Sequence, residues 1–78
     1  MTKVVLPELG EGIKSAIVSY WYFKEGEKLA LKDDLVELAT DKATFNLPSP
    51  SSGILTEIFF KEGDTAEIGA VLANIEES

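Results

Sequence analysis

Apolar and polar residues alternate with a period of two in short bursts along the chain, and turn-forming residues close each burst. The pattern predicts strands at about 2 to 6, 16 to 23, 35 to 40, 43 to 47, 53 to 60 and 71 to 76, with brief pairings near 28 to 31 and 65 to 68. Turns fall at "PELGEG", "KEGE", "LPSPSSG" and "KEGD", and Gly26, Gly53 and Gly63 read as turn residues. Within "YWYF" the alternation sends Trp21 and Phe23 inward and leaves Tyr20 outside. One stretch resists this reading, because "EGEKLALKDDLVELATDKA" is rich in good helix formers and a helix there would place Lys42 on a wet face.

An internal repeat resolves the ambiguity. Shifting the chain by 37 residues lays "AIVSYWYFKEGEKLALKDDLVEL", 16 to 38, on "GILTEIFFKEGDTAEIGAVLANI", 53 to 75. The phrase Phe23-Lys24-Glu25-Gly26 recurs as Phe60-Lys61-Glu62-Gly63, followed by Glu27 or Asp64. Ile17 falls on Ile54, Trp21 on Ile58, Leu31 on Ile68, Leu35 on Leu72 and Leu38 on Ile75, as a core shared by two copies of one unit requires. The copy of the doubtful helix carries Gly69 in its interior, at a cost of about 1 kcal/mol relative to alanine, so strands are favoured in both. The fold class is all-β, a sandwich or flattened barrel, with two sheets related by a pseudo-two-fold axis.

Residues 39 to 52 connect the copies, and there the predicted strands 35 to 40 and 43 to 47 leave only Asp41 and Lys42 between them. Aspartate suits a tight turn, since its carboxylate can accept from a nearby backbone N–H. Lysine has no such turn chemistry, and at the apex its stem points away from the core. The bland reading is an ordinary solvated lysine. The sharper one is an exposed amine held at a rigid, protruding tip.

Composition narrows the function. Fourteen acids against seven basic residues give a net charge of −7, which disfavours nucleic acid and anionic lipid as partners, and no apolar run is long enough to span a bilayer. With no His and no Cys, the usual general base, thiolate nucleophile and zinc ligands are missing, so neither a catalytic centre nor a metal site is expected. Asp33 and Asp34 lack the spacing of a calcium loop, and "GEG" at 10 to 12 suits a turn better than an anion site. The 78 residues make one domain, 1–78, expected to be the N-terminal part of a longer multidomain chain. "MTKVVLPEL" lacks a signal-peptide pattern, which points to a bacterial cytoplasmic setting, with a mitochondrial matrix as the alternative.

With "LPELGEGI" before it and "PSPSSGIL" and "FFKEGD" after it, "TDKAT" at the hairpin resembles the lipoyl domain of the acyltransferase component of 2-oxo acid dehydrogenase complexes, from Val4 to about Ile75. The resemblance implies two four-stranded antiparallel sheets with quasi-two-fold symmetry and lipoic acid amide-linked to Lys42. It implies that Asp41 and Ala43 are the flanking residues read by lipoate-attaching enzymes, and that the loop around Gly10 to Lys14 takes part in recognising the decarboxylase. The implied function is a non-catalytic carrier, a monomer in isolation, whose swinging arm serves a thiamine-diphosphate decarboxylase, an acyltransferase core with coenzyme A, and dihydrolipoamide dehydrogenase. Pyruvate dehydrogenase is the complex expected. One position departs from the pattern: Ala39 stands where many relatives carry an acid. Biotin-carrying domains share the fold but place methionine on both sides of the lysine, whereas Met1 is the only methionine here. A biotin carrier and a protein-binding adaptor that uses the hairpin as an edge are the alternatives.

Overall fold

β-branched and aromatic residues at alternate positions favour a pleated, half-buried surface, and the alternating bursts do become strands. The computed structural model describes residues 1–77. Its strands are β1 Thr2–Val5, β2 Ser15–Trp21, β3 Lys28–Leu29, β4 Asp34–Ala39, β5 Thr44–Pro48, β6 Gly53–Ile58, β7 Thr65–Glu67 and β8 Val71–Glu77, each bound within two residues of its predicted place. They pair antiparallel in two four-stranded sheets, β1-β8-β6-β3 and β5-β4-β2-β7. Exchanging β1 with β5, β2 with β6, β3 with β7 and β4 with β8 turns one order into the other, which is the expected quasi-two-fold symmetry.

The symmetry extends to irregularities. Ser19 is an extra residue in β2, between the pairs Val18↔Leu38 and Tyr20↔Glu37. Thr56, its 37-residue mate, is the extra residue in β6, between Leu55↔Ile75 and Glu57↔Asn74. Each bulge reverses the side-chain parity of its strand. Ala16 and Val18 can therefore face inward before the bulge while Trp21 and Phe23 pack against the core after it.

The repeated Phe-Lys-Glu-Gly phrase clasps the two sheets together. The Gly26 N–H donates to the Leu55 carbonyl at 2.6 Å, and the Gly63 N–H donates to the Val18 carbonyl at 2.7 Å, so each turn bonds a strand of the opposite sheet. Glu25 accepts from the Ile58 N–H at 2.7 Å and Glu62 accepts from the Trp21 N–H at 3.1 Å, again as a reciprocal pair. Gly26 and Gly63 occupy the left-handed region that these turns require, at φ 92° and 96°.

Between the sheets lie Val4, Leu6, Val18, Leu29, Leu35, Leu38, Leu55, Leu72 and Ile75, all essentially closed to solvent. Three expectations need correction. Ile17 and Ile54 match in the repeat but lie on the outer faces, 48% and 43% exposed, because they sit at odd parity beside buried Ala16 and Gly53; Leu31 is likewise 54% exposed, in a turn. Gly53 is no turn residue: it opens β6, and a Cβ there would collide with the Glu76 carbonyl of β8. The hairpin strands also stop at Ala39 and resume at Thr44, so the connection includes Thr40 and Ala43 as well as Asp41 and Lys42.

The halves differ where the repeat fails. Corresponding residues are 37 apart everywhere except in β1 and β5, where Val4 pairs with Ala73 as Leu47 pairs with Val36, a shift of 43. Six extra residues therefore enter the loop from Leu6 to Lys14 between β1 and β2. The second asymmetry is the β4–β5 hairpin, which joins strands whose mates, β8 and β1, have no such connection.

Candidate functional site

β4 and β5 converge on the tip through the pairs Leu38↔Phe45 and Ala39↔Thr44. The Thr40 N–H then donates to the Ala43 carbonyl at 2.8 Å, which leaves Asp41 and Lys42 as the apex. The reciprocal bond of an ordinary hairpin is made by a side chain: the Ala43 N–H donates to Thr40 Oγ1 at 3.0 Å. The same oxygen accepts from the Lys42 N–H at 3.2 Å and its hydroxyl donates to the Ala43 carbonyl at 2.8 Å. Thr40 thus satisfies the backbone of a tip that has left the sheet. It is absent from the sequence-based site, although a Thr immediately before the two apex residues is a recognisable side-chain turn signal.

Asp41, Lys42 and Ala43 are all exposed. The lysine does not project freely, however. Its Nζ donates to the Glu11 carbonyl at 3.3 Å, so the extended β1–β2 loop lies against the hairpin. Gly12, at φ 82°, lets the loop turn there, and a Cβ on it would come 3.5 Å from Lys42 Nζ. The sequence marks that turn through "GEG", but a main-chain carbonyl acceptor such as that of Glu11 leaves no residue-type signal.

Between loop and hairpin runs an open groove of about 520 Å³, with Gly12, Ile13, Lys14 and Ile17 on one side and Ala39, Thr40 and Asp41 on the other. Ala39, the position that departs from the family pattern, pairs across the sheet with Ile17 and helps make an apolar floor. Among the described residues no cluster of three or more His, Cys, Asp or Glu could hold a metal ion, and no helix is long and apolar enough to cross a membrane.

The arrangement suits covalent loading of the amine. An acyl group on Nζ would meet solvent and the groove rather than the core, and the amide would keep an N–H for the Glu11 carbonyl. Ile13, Ile17 and Ala39 give the groove beside the amine an apolar lining.

Among known proteins, the biotin/lipoyl family, described as biotin-requiring enzyme, matches residues 2–75. Over 75 residues the chain is 48% identical to the dihydrolipoyllysine-residue succinyltransferase component of the 2-oxoglutarate dehydrogenase complex of Bartonella vinsonii subsp. berkhoffii, covering 96% of this chain and 18% of that protein. Over 74 residues it is 38% identical to the dihydrolipoyllysine-residue acetyltransferase component of the pyruvate dehydrogenase complex of Corynebacterium glutamicum, covering 95% and 11%. The chain therefore spans less than a fifth of the length of these curated relatives. The solution structure of the lipoyl domain of the 2-oxoglutarate dehydrogenase complex from Azotobacter vinelandii superposes with a TM-score of 0.79 at 29% identity, covering 96% of this chain and 95% of that one.

Proposed function

The chain belongs to the biotin/lipoyl family, and from that premise we propose that it is a lipoyl carrier domain of a 2-oxo acid dehydrogenase acyltransferase, with Lys42 as the attachment residue. The observation that carries this reading is the meeting of the two asymmetries. The molecule is otherwise two copies of one unit, and the hairpin tip and the six-residue loop extension touch at Lys42 Nζ. Chain continuity explains why the hairpin occurs once, since its mates β8 and β1 are the last and first strands, but it does not call for a loop extension that reaches the hairpin's lysine.

Each residue has a part in that function. Thr40 fixes the tip so that the amine is offered in one orientation to an attaching enzyme. Asp41 and Ala43, exposed on either side, are the positions such an enzyme reads. The Glu11 carbonyl and Gly12 give the base of the arm a resting contact. The loop from Gly10 to Lys14 is the surface a decarboxylase meets beside it. The lipoyl group, joined to Lys42 by an amide bond, supplies the disulfide redox and acyl-carrying chemistry that a chain without cysteine cannot. The domain itself is not catalytic: it keeps the arm near successive active sites at an effective concentration on the order of millimolar without tight binding to any of them.

Relatives of both kinds support a 2-oxo acid complex, and the 48%-identical succinyltransferase favours 2-oxoglutarate over the pyruvate expected from sequence. The test is reductive acylation of the lipoylated domain by the thiamine-diphosphate decarboxylases of the two complexes. A higher kcat/KM with the 2-oxoglutarate decarboxylase is expected. The reverse order would assign the domain to pyruvate, and no acylation by either would refute the carrier reading in these complexes. Biotin is the second reading, because the family as described is biotin-requiring. The lack of methionine beside Lys42 disfavours it.

A further inference from the structure

The internal symmetry provides a control for every outward residue, since its mate 37 positions away has the same backbone setting but no hairpin beside it. On the outer face of the sheet that bears the hairpin stand Ile17, Tyr20 and Tyr22; their mates are Ile54, Glu57 and Phe59. Glu37, which pairs across strands with Tyr20, has Asn74 as its mate. The strands of the hairpin sheet carry the acids Asp34, Glu37 and Glu67 and no lysine, whereas those of the other sheet carry Lys3 and Lys28 among their acids. The outer face of the hairpin sheet thus sets two exposed tyrosines among acids with no lysine on its strands, where the other face sets one exposed aromatic, Phe59, beside Glu57 on a sheet whose strands also carry two lysines.

The aromatic pair is ordered. Tyr20 and Tyr22 meet edge to face with ring centroids 5.1 Å apart, and the Tyr22 hydroxyl donates to Asn46 Oδ1 at 3.1 Å. That contact pins Tyr22 and leaves Tyr20 51% exposed beside Glu37. Desolvation and then the charges of Glu37 and Asp34 push the Tyr22 phenol above its ordinary pKa, as expected where carboxylates crowd the rings. At one end the face continues through Ile17 into the groove beside the lysine.

We propose that this face is a docking site for an arginine-bearing segment of a partner protein, with the guanidinium lying on the Tyr20 ring and Glu37 and Asp34 pairing with its charge. Guanidinium fits better than ammonium because it is planar, stacks on aromatic rings and is less strongly hydrated. Continuity with the groove places such a partner where it would also receive whatever Lys42 carries.

The test uses the unmodified, isotope-labelled domain, so its outcome does not depend on lipoylation. Amide shifts are followed on titration with a capped Arg-Gly-Arg-Gly-Arg peptide and with its lysine counterpart. Shifts should concentrate on Ile17, Tyr20, Tyr22 and Glu37, and the arginine peptide should bind at least about threefold more tightly. Tyr20→Glu and Glu37→Asn introduce residue types that the fold already holds at Glu57 and Asn74, and thermal melts check that both variants stay folded. Each should weaken binding about threefold or more, Tyr20→Glu doing so although it adds a negative charge. Shifts spread over the acids of both sheets, equal affinity for the two peptides, or tighter binding to Tyr20→Glu would overturn the proposal.

Discussion

Thr40→Val removes one oxygen from the hairpin while keeping the shape of the side chain. Three contacts go with it: those from the Lys42 and Ala43 N–H groups at 3.2 and 3.0 Å, and the hydroxyl's own bond to the Ala43 carbonyl at 2.8 Å. A hydrogen bond contributes about 0.5–1.5 kcal/mol net, and water can replace each of these at an exposed tip, so the sum is expected at about 1–2 kcal/mol. The Thr40 N–H bond to the Ala43 carbonyl and the β4–β5 ladder survive, so the loss falls on opening of the tip rather than on global unfolding. Amide exchange at Lys42 and Ala43 should accelerate by about 5- to 30-fold, the equivalent of that free energy, while Leu38 in the core exchanges as before. Lipoate attachment should slow as the amine loses its fixed orientation. Thr40→Ser, which keeps the oxygen, should restore both readouts. Unchanged exchange at Ala43 together with an unchanged attachment rate in Thr40→Val would refute the role assigned to this side chain.

Gly53→Ala should destabilise the domain by about 3 kcal/mol in urea denaturation, because the new methyl collides with the Glu76 backbone carbonyl and a β-ladder cannot give way as a side chain can. Lys32 holds φ 72° where its mate Gly69 holds 92°, so Gly69→Ala should cost about 1 kcal/mol and Lys32→Gly should be neutral or slightly stabilising; a loss in Lys32→Gly as large as that in Gly69→Ala would contradict this. The Tyr22 phenol is raised above 10.0 in the folded state, so its contribution is present in full below pH 10 and is lost as pH climbs through the folded value. Urea midpoints measured on the alkaline side should therefore fall less steeply for Tyr22→Phe than for the parent chain.

The fold was legible because the repeat is written in residues that the symmetric clasp uses directly. Phe-Lys-Glu-Gly recurs since each turn must bond the opposite sheet in the same way, and Gly69 separated strand from helix in a stretch where propensity favoured the helix. The first repeat strand of each half was harder to match, since "TKVV" of β1 and "FNLP" of β5 share a backbone role but no residue pattern. That hid the six-residue loop extension. Ile17 and Ile54 misled because matching apolar residues mark equivalent positions, and equivalence does not say which side of a sheet they face. Gly53 misled for a different reason: close approach of a neighbouring strand and a left-handed turn both demand glycine, and one sequence does not separate them. At the site, the apex residues were legible by type. The Glu11 carbonyl under the lysine was not, because every residue has one.

The attachment residue is tested most directly by intact mass and fragment mapping after the chain is incubated with lipoate, ATP and a lipoate-attaching enzyme. One lipoyl adduct at Lys42 is predicted, none in Lys42→Arg, and the formal charge of the loaded domain should move from −7 to −8. An adduct on any of the other lysines, one that persists in Lys42→Arg, or preferential loading of biotin by a biotin-attaching enzyme would contradict the account.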